Sequence, residues 1–94
     1  MDVISIRKID SCLEGINAWD LLLNTKISEE FIFSLTEIGK LIYHSELDKP
    51  FFRLIVKGRY TAKGSLGNKT IRLILPNDAS QELVDDFINK IKSK

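Results

Sequence analysis

Seven basic side chains, Lys49, Arg53, Lys57, Arg59, Lys63, Lys69 and Arg72, fall within residues 49–77, and no Asp or Glu stands among them. The whole chain sets 14 Lys and Arg against 13 acids for a formal charge of +1, so this segment carries +7 and the remainder −6. The chemistry open to such a cluster is electrostatic. Ammonium and guanidinium groups can neutralise phosphates and release their counterions, or they can dock on the carboxylates of an acidic protein. Tyr60 lies inside the cluster and offers a ring on which a base could stack. Arg53, Lys57, Arg59, Tyr60, Lys63, Lys69 and Arg72 are therefore the candidate binding residues.

Other reactive groups are sparse. Cys12 is the single cysteine, which excludes an intramolecular disulfide and a thiolate metal cluster within one chain, and it is expected to pack as a small hydrophobe. His44 is the single histidine and is followed at two-residue spacing by Glu46 and Asp48. That spacing could suit a carboxylate-histidine metal site in an extended segment, but a solvated cap at a helix end is the preferred reading. There is no paired-carboxylate arrangement, P-loop or G-x-G-x-x-G motif. No enzymatic activity, cofactor or metal is expected.

The elements that must position the cations follow from periodicity. In residues 51–60, Phe52, Leu54, Val56 and Tyr60 alternate with Phe51, Arg53, Ile55, Lys57 and Arg59, which is the two-residue period of a half-buried strand. Residues 69–75 repeat the pattern, with Ile71, Leu73 and Leu75 on one face and Thr70, Arg72 and Ile74 on the other. The turn-rich stretch 62–68 between them reads as a mobile, Lys-rich loop of a hairpin. Its two glycines and flanking lysines, Lys63 and Lys69, could also turn toward a phosphate.

Upstream, residues 3–9 read as a strand with Ile4 and Ile6 facing a core. A capping box at Ser11 and Glu14 then opens a helix through Leu23, or one capped by Asn17. Ser28, followed by Glu29 and Glu30, starts a second, largely apolar helix, in which Gly39 implies close approach of another element. Asp78 and Gln81 form another capping box before a helix with Leu83, Val84, Phe87, Ile88 and Ile91 at three- and four-residue spacing. The predicted core joins Phe31, Leu35, Ile38, Leu54, Leu73, Phe87 and Ile91.

The resulting fold class is α+β, in the order β-α-α-β-β-α, a three-stranded antiparallel sheet with three helices packed on one face. Ser5, Arg7, Arg53, Lys57, Arg59, Thr70 and Arg72 are expected on the other. This order is similar to that of type I KH domains, which bind single-stranded RNA or DNA and whose variable loop would fall at the Lys-rich tip. The chain departs from that family where Asn24, Thr25, Lys26 and Ile27 stand in place of a G-x-x-G loop, so the resemblance implies topology without the backbone clamp on nucleotides.

Ninety-four residues, 44% hydrophobic and 29% charged, have the composition of one soluble domain spanning 1–94. No apolar run approaches the roughly 18 to 20 residues of a membrane span, and Asp2 after the initiator Met argues against a signal peptide. A cytoplasmic location and no membrane partner are expected. The function expected is that of a small binding module, monomeric or weakly homodimeric, whose basic hairpin grips single-stranded RNA or DNA. The alternative is a protein-interaction module, a regulator or inhibitor docking the same surface, with Ile55 and Ile74 among the charges, on an acidic protein or pairing through its sheet.

Overall fold

Strand-forming alternation runs further along the chain than its large apolar residues reveal. The computed structural model describes residues 2–11, 16–76, 79 and 81–92. It contains six strands, β1 (Val3–Ser11), β2 (Ile16–Leu23), β3 (Lys40–His44), β4 (Phe51–Val56), β5 (Tyr60–Ser65) and β6 (Thr70–Leu75). Two short helices, α1 (Glu29–Ser34) and α2 (Gln81–Ile91), and a 3-10 turn at Leu35–Glu37 complete the described elements. All strand pairs are antiparallel, in the order β1-β2-β6-β5-β4-β3. The three-stranded sheet with three helices is thereby overturned, and with it the β-α-α-β-β-α order shared with KH domains.

Three stretches change identity. The first expected helix is instead strand β2, in which Asn17, Trp19, Leu21 and Leu23 point one way and Ala18, Asp20 and Leu22 the other. β2 lies between β1 and β6, so both of its edges find backbone partners and pairing overrides the helix propensity of its leucines. Asn17 is no helix cap. Its buried side-chain amide donates to the carbonyls of Pro76 (3.1 Å) and Ala79 (2.9 Å) while its oxygen accepts from the Trp19 indole (2.9 Å), tying β2 to the approach of α2.

The second expected helix stops after two turns. Ser28 does cap it, its hydroxyl accepting from the Phe31 N–H at 3.2 Å. At Gly39 the chain passes so close to β4 that a Cβ would stand 2.5 Å from the Ile55 carbonyl oxygen, which is the close approach expected there, and β3 then pairs with β4.

The third stretch is the supposed mobile loop, most of which is strand β5. It lies between β4 and β6, so these two are not hairpin partners but share β5 as a neighbour. β5 escapes notice because its inward residues shrink along the strand from Tyr60 to Ala62 to Gly64. Glycine is needed at the last position: a Cβ on Gly64 would come within 2.8 Å of the Phe52 ring, which lies over it from the adjacent strand.

A single hydrophobic cluster sits between one face of this sheet and both helices. Phe31, Leu35, Leu54, Leu73, Phe87 and Ile91 are buried in it as expected, and Ile38 packs partly against it. Of the β1 residues assigned to the core, Ile4 is 63% exposed and Ile6 37% exposed, because β1 is an edge strand with a register irregularity between Val3 and Ser5. Ser11, expected to open a capping box, instead closes strand β1; its expected partner Glu14, the capping box at Asp78 and the packing of Cys12 lie outside the described residues. Among the described residues no helix is long and apolar enough to cross a membrane.

Candidate nucleic-acid interface

The face of the sheet opposite the helices is set by register. Directly paired residues of neighbouring strands point to the same side, so Arg7, Asp20, Arg72, Lys63, Arg53 and Ile42 form one row crossing all six strands. A second row parallel to it holds Ile9, Ala18, Ile74, Thr61, Ile55 and Lys40. On the other flank, Ser5, Leu22 and Thr70 are in register on one side of the sheet and Ser65, Phe51 and His44 on the other. With strands about 4.8 Å apart, the row from Arg7 to Arg53 spans about 19 Å. Five cations, Arg7, Lys40, Arg53, Lys63 and Arg72, thus share a face with one described row carboxylate, Asp20.

That carboxylate orients its neighbour. Asp20 accepts from Nε of Arg72 at 3.1 Å and from Nη2 at 3.4 Å, a two-point contact that holds the guanidinium in place across the strand pair. The hydrogen bond that Arg72 donates to Asp20, together with the Asp20 charge, raises the Arg72 pKa against an opposing effect of burial, so Arg72 remains a cation. Arg53, Lys63 and Arg7 have no ion-pair partner among the described residues. Acids collect instead in the opposite layer, at Glu29 and Glu30 of α1, Glu37 of the 3-10 turn, and Glu82, Asp85 and Asp86 of α2.

The candidate residues separate into three groups. Arg53, Lys63 and Arg72 stand side by side on three adjacent strands of the open face. Lys57 and Arg59 lie in the turn 57–59 between β4 and β5, where Gly58 takes a φ of 76°, while Lys69 lies in the turn between β5 and β6 at the opposite end of the sheet. These three cannot act with the row as one hairpin tip. Arg59 is also engaged, pairing with Asp86 of α2 at 3.4 Å.

Tyr60 points the other way. It is 3% exposed on the helix-covered face, packs edge-on against Phe87, and donates its hydroxyl to Asp86 at 3.0 Å, so no base can stack on it. Burial pushes its phenol well above the ordinary value, and the Asp86 hydrogen bond and charge add to this. Desolvation opposes ionisation of Asp86, but hydrogen bonds from Lys90 and Tyr60 and the charges of Lys90 and Arg59 outweigh it and lower its pKa. Tyr60 and Asp86 fasten α2 to the sheet; they are not part of the open face.

The aromatic group on the open face is Phe51, which shares the parity of Arg53. Its ring stacks on His44 with centroids 4.6 Å apart and 29° between planes. His44 closes an edge strand rather than a helix, and its Nδ1 lies 3.4 Å from Glu46. The Glu46 carboxyl is held below the usual carboxylate range chiefly by a hydrogen bond from its own backbone, with burial opposing and His44 adding. His44, Glu46 and Asp48 form no metal-binding group: no cluster of three or more His, Cys, Asp or Glu suited to a cation occurs among the described residues. The sequence signal for Phe51 was its position two residues before Arg53, a spacing that carries weight only once the face is known to be uncovered.

Compared with known proteins, the chain matches no family model, no curated protein and no solved structure.

Proposed function

We propose that the chain is a non-enzymatic module that binds single-stranded RNA or DNA on the open face of its six-stranded sheet, with the cytoplasm as its setting. The observation that carries this reading is the row Arg7, Arg72, Lys63 and Arg53, crossing the uncovered face beside the Phe51 and His44 rings. Phosphates are neutralised by such a row, and unpaired bases can lie on a pleated surface and stack on its aromatic side chains. A duplex would present its bases only at groove edges and gain nothing from the rings.

The test is binding of a single-stranded RNA or DNA pool as a function of salt. Four phosphate contacts imply a slope of about −3 in a plot of log affinity against log salt, at roughly −0.7 per contact for single strands. Replacing Arg53 and Lys63 together by Ala should flatten that slope by about 1.4. A linear fall with salt that these substitutions leave unchanged would sink the proposal.

One observation favours a second reading. Ile9, Ile74 and Ile55 lie in one row beside the cations, with the buried Ala18 and with Thr61 between them, a combination that suits an acidic protein surface. A pull-down with and without nuclease separates the two. Loss of the bound material on nuclease treatment supports the nucleic-acid reading, whereas a co-purifying protein that survives it and is lost in Ile55→Ala or Ile74→Ala supports the other.

A further inference from the structure

Side-chain size changes abruptly along the flank of the cation row. His44 covers one face of the Phe51 ring, but the residue paired with Phe51 on its other side is Ser65, whose side chain ends one atom beyond Cβ. The space left above Ser65 is an open cleft of about 340 Å³, lined by Phe51, by Lys63 and Arg72 with the Asp20 carboxylate that pairs with Arg72, and by Asn68 and Thr70. That volume falls at the lower end of the range for small-molecule sites, about 300 to 1,000 Å³.

The walls have complementary chemistry. Phe51 presents an aromatic face. Asp20 occupies Nε and Nη2 of Arg72, which aims the guanidinium and leaves Nη1 to a ligand, and the Lys63 ammonium stands on the next strand. The hydroxyls of Ser65 and Thr70 and the Asn68 amide make no side-chain hydrogen bond among the described residues, so they can meet the polar edge of a base or a sugar. A ring on one side, two cations on the other and small polar groups between them match the parts of a nucleotide.

Resting on the nucleic-acid reading, we infer that this cleft is a subsite for one unpaired nucleotide, its base stacked on the free face of Phe51 and its phosphate held between Lys63 and Arg72. The rest of the strand follows the cation row across the sheet. Binding then has two separable components: phosphate contacts that salt weakens, and one stacking contact that salt does not.

The experiment is fluorescence anisotropy of a labelled oligouridylate of about 12 nucleotides across a salt series, with the full chain and three variants. Phe51→Ala should weaken binding roughly 5- to 150-fold by loss of one stack, giving a line parallel to that of the unchanged protein. Ser65→Val fills the cleft with a side chain that suits a strand and should produce the same parallel displacement. Arg72→Ala should instead reduce the slope by about 0.7. Circular dichroism checks that each variant is folded, and Ser65→Val serves as the test should Phe51→Ala unfold. If the unchanged protein binds with the expected slope while Ser65→Val and folded Phe51→Ala fall on its line, the subsite is refuted and the broader reading stands. If the unchanged protein binds no oligouridylate and no other single strand at low salt, both fall.

Discussion

The two faces of the sheet are built from the same six strands, with consecutive residues sent to opposite sides. In β6, Ile71, Leu73 and Leu75 enter the core while Thr70, Arg72 and Ile74 face away. In β4, Phe52 and Leu54 are fully buried while Phe51 and Arg53 are not. One face is closed by α1 and α2 and holds the molecule together; the other carries five cations and, among the described residues, no covering element. The physical lesson is that a two-residue period lets one peptide build a core and present a charged surface at once, with each confined to alternate positions.

Substitutions at neighbouring positions should therefore have unlike effects. The largest is expected from Leu73→Ala, which removes a fully buried side chain and should cost about 2 to 5 kcal/mol in urea unfolding. Arg53→Ala, on the open side of β4, should stay within about 0.5 kcal/mol by the same measurement. A comparable loss at both positions would collapse the distinction between the faces.

Gly64→Ala comes next. Its Cβ would meet the Phe52 ring at 2.8 Å and the Ile27 side chain at 3.1 Å, and overpacking of this kind costs roughly 1 to 3 kcal/mol. Ala at Gly58 would touch nothing, and its cost would come from the φ of 76° alone. Equal losses confined to a few tenths of a kcal/mol would mean that Phe52 does not lie over Gly64.

Asn17→Ala should remove the amide that bridges β2 to Pro76 and Ala79 and leave those carbonyls unpartnered by it, at a cost of about 1 to 3 kcal/mol. Hydrogen exchange should show the loss concentrated in α2 and β2. Protection unchanged in α2 would show that the clamp is idle.

The smallest effect is a pH dependence. The Asp86 pKa is lower in the folded chain than its ordinary value, so its ionisation favours the folded state. The contribution is present in full above the usual carboxylate range and disappears as pH falls through that range and past the folded value. Since the side chain is about a third exposed, solvent screening limits the effect to under about 1 kcal/mol. The stability difference between the unchanged protein and Asp86→Asn should shrink on acidification from neutral pH to about 3, and a difference that grows would reverse the sign argued here.

Some of this architecture can be read along the chain because the information is local. The stripe of α2, the cap at Ser28 and the alternation of β4 and β6 each depend on residues a few positions apart, whereas the close approach that requires glycine at position 39 is to the Ile55 carbonyl of β4. The same holds for the confinement of seven cations to a segment without acids, which marks the region of the candidate site before any fold is known. The seven cations were legible as one basic segment; the placing of Lys63 between Arg53 and Arg72, their separation from Lys57, Arg59 and Lys69, and the turning of Tyr60 into the core were not.

What tertiary structure alone decided was partnership. Leucine-rich residues 16–23 satisfy a helical pattern and a strand pattern, and only the free edges of β1 and β6 on either side make the strand the one that satisfies its backbone groups. β5 has inward residues after Tyr60 too small to announce a core face, and it is a strand because β4 and β6 pair with its two edges, with Phe52 lying over Gly64. The sequence by itself determined which side chains alternate and where positive charge is concentrated. Which strands stand together, and hence which cations share a face with Phe51, was settled by long-range hydrogen bonding and packing, interactions between residues tens of positions apart that no local pattern encodes.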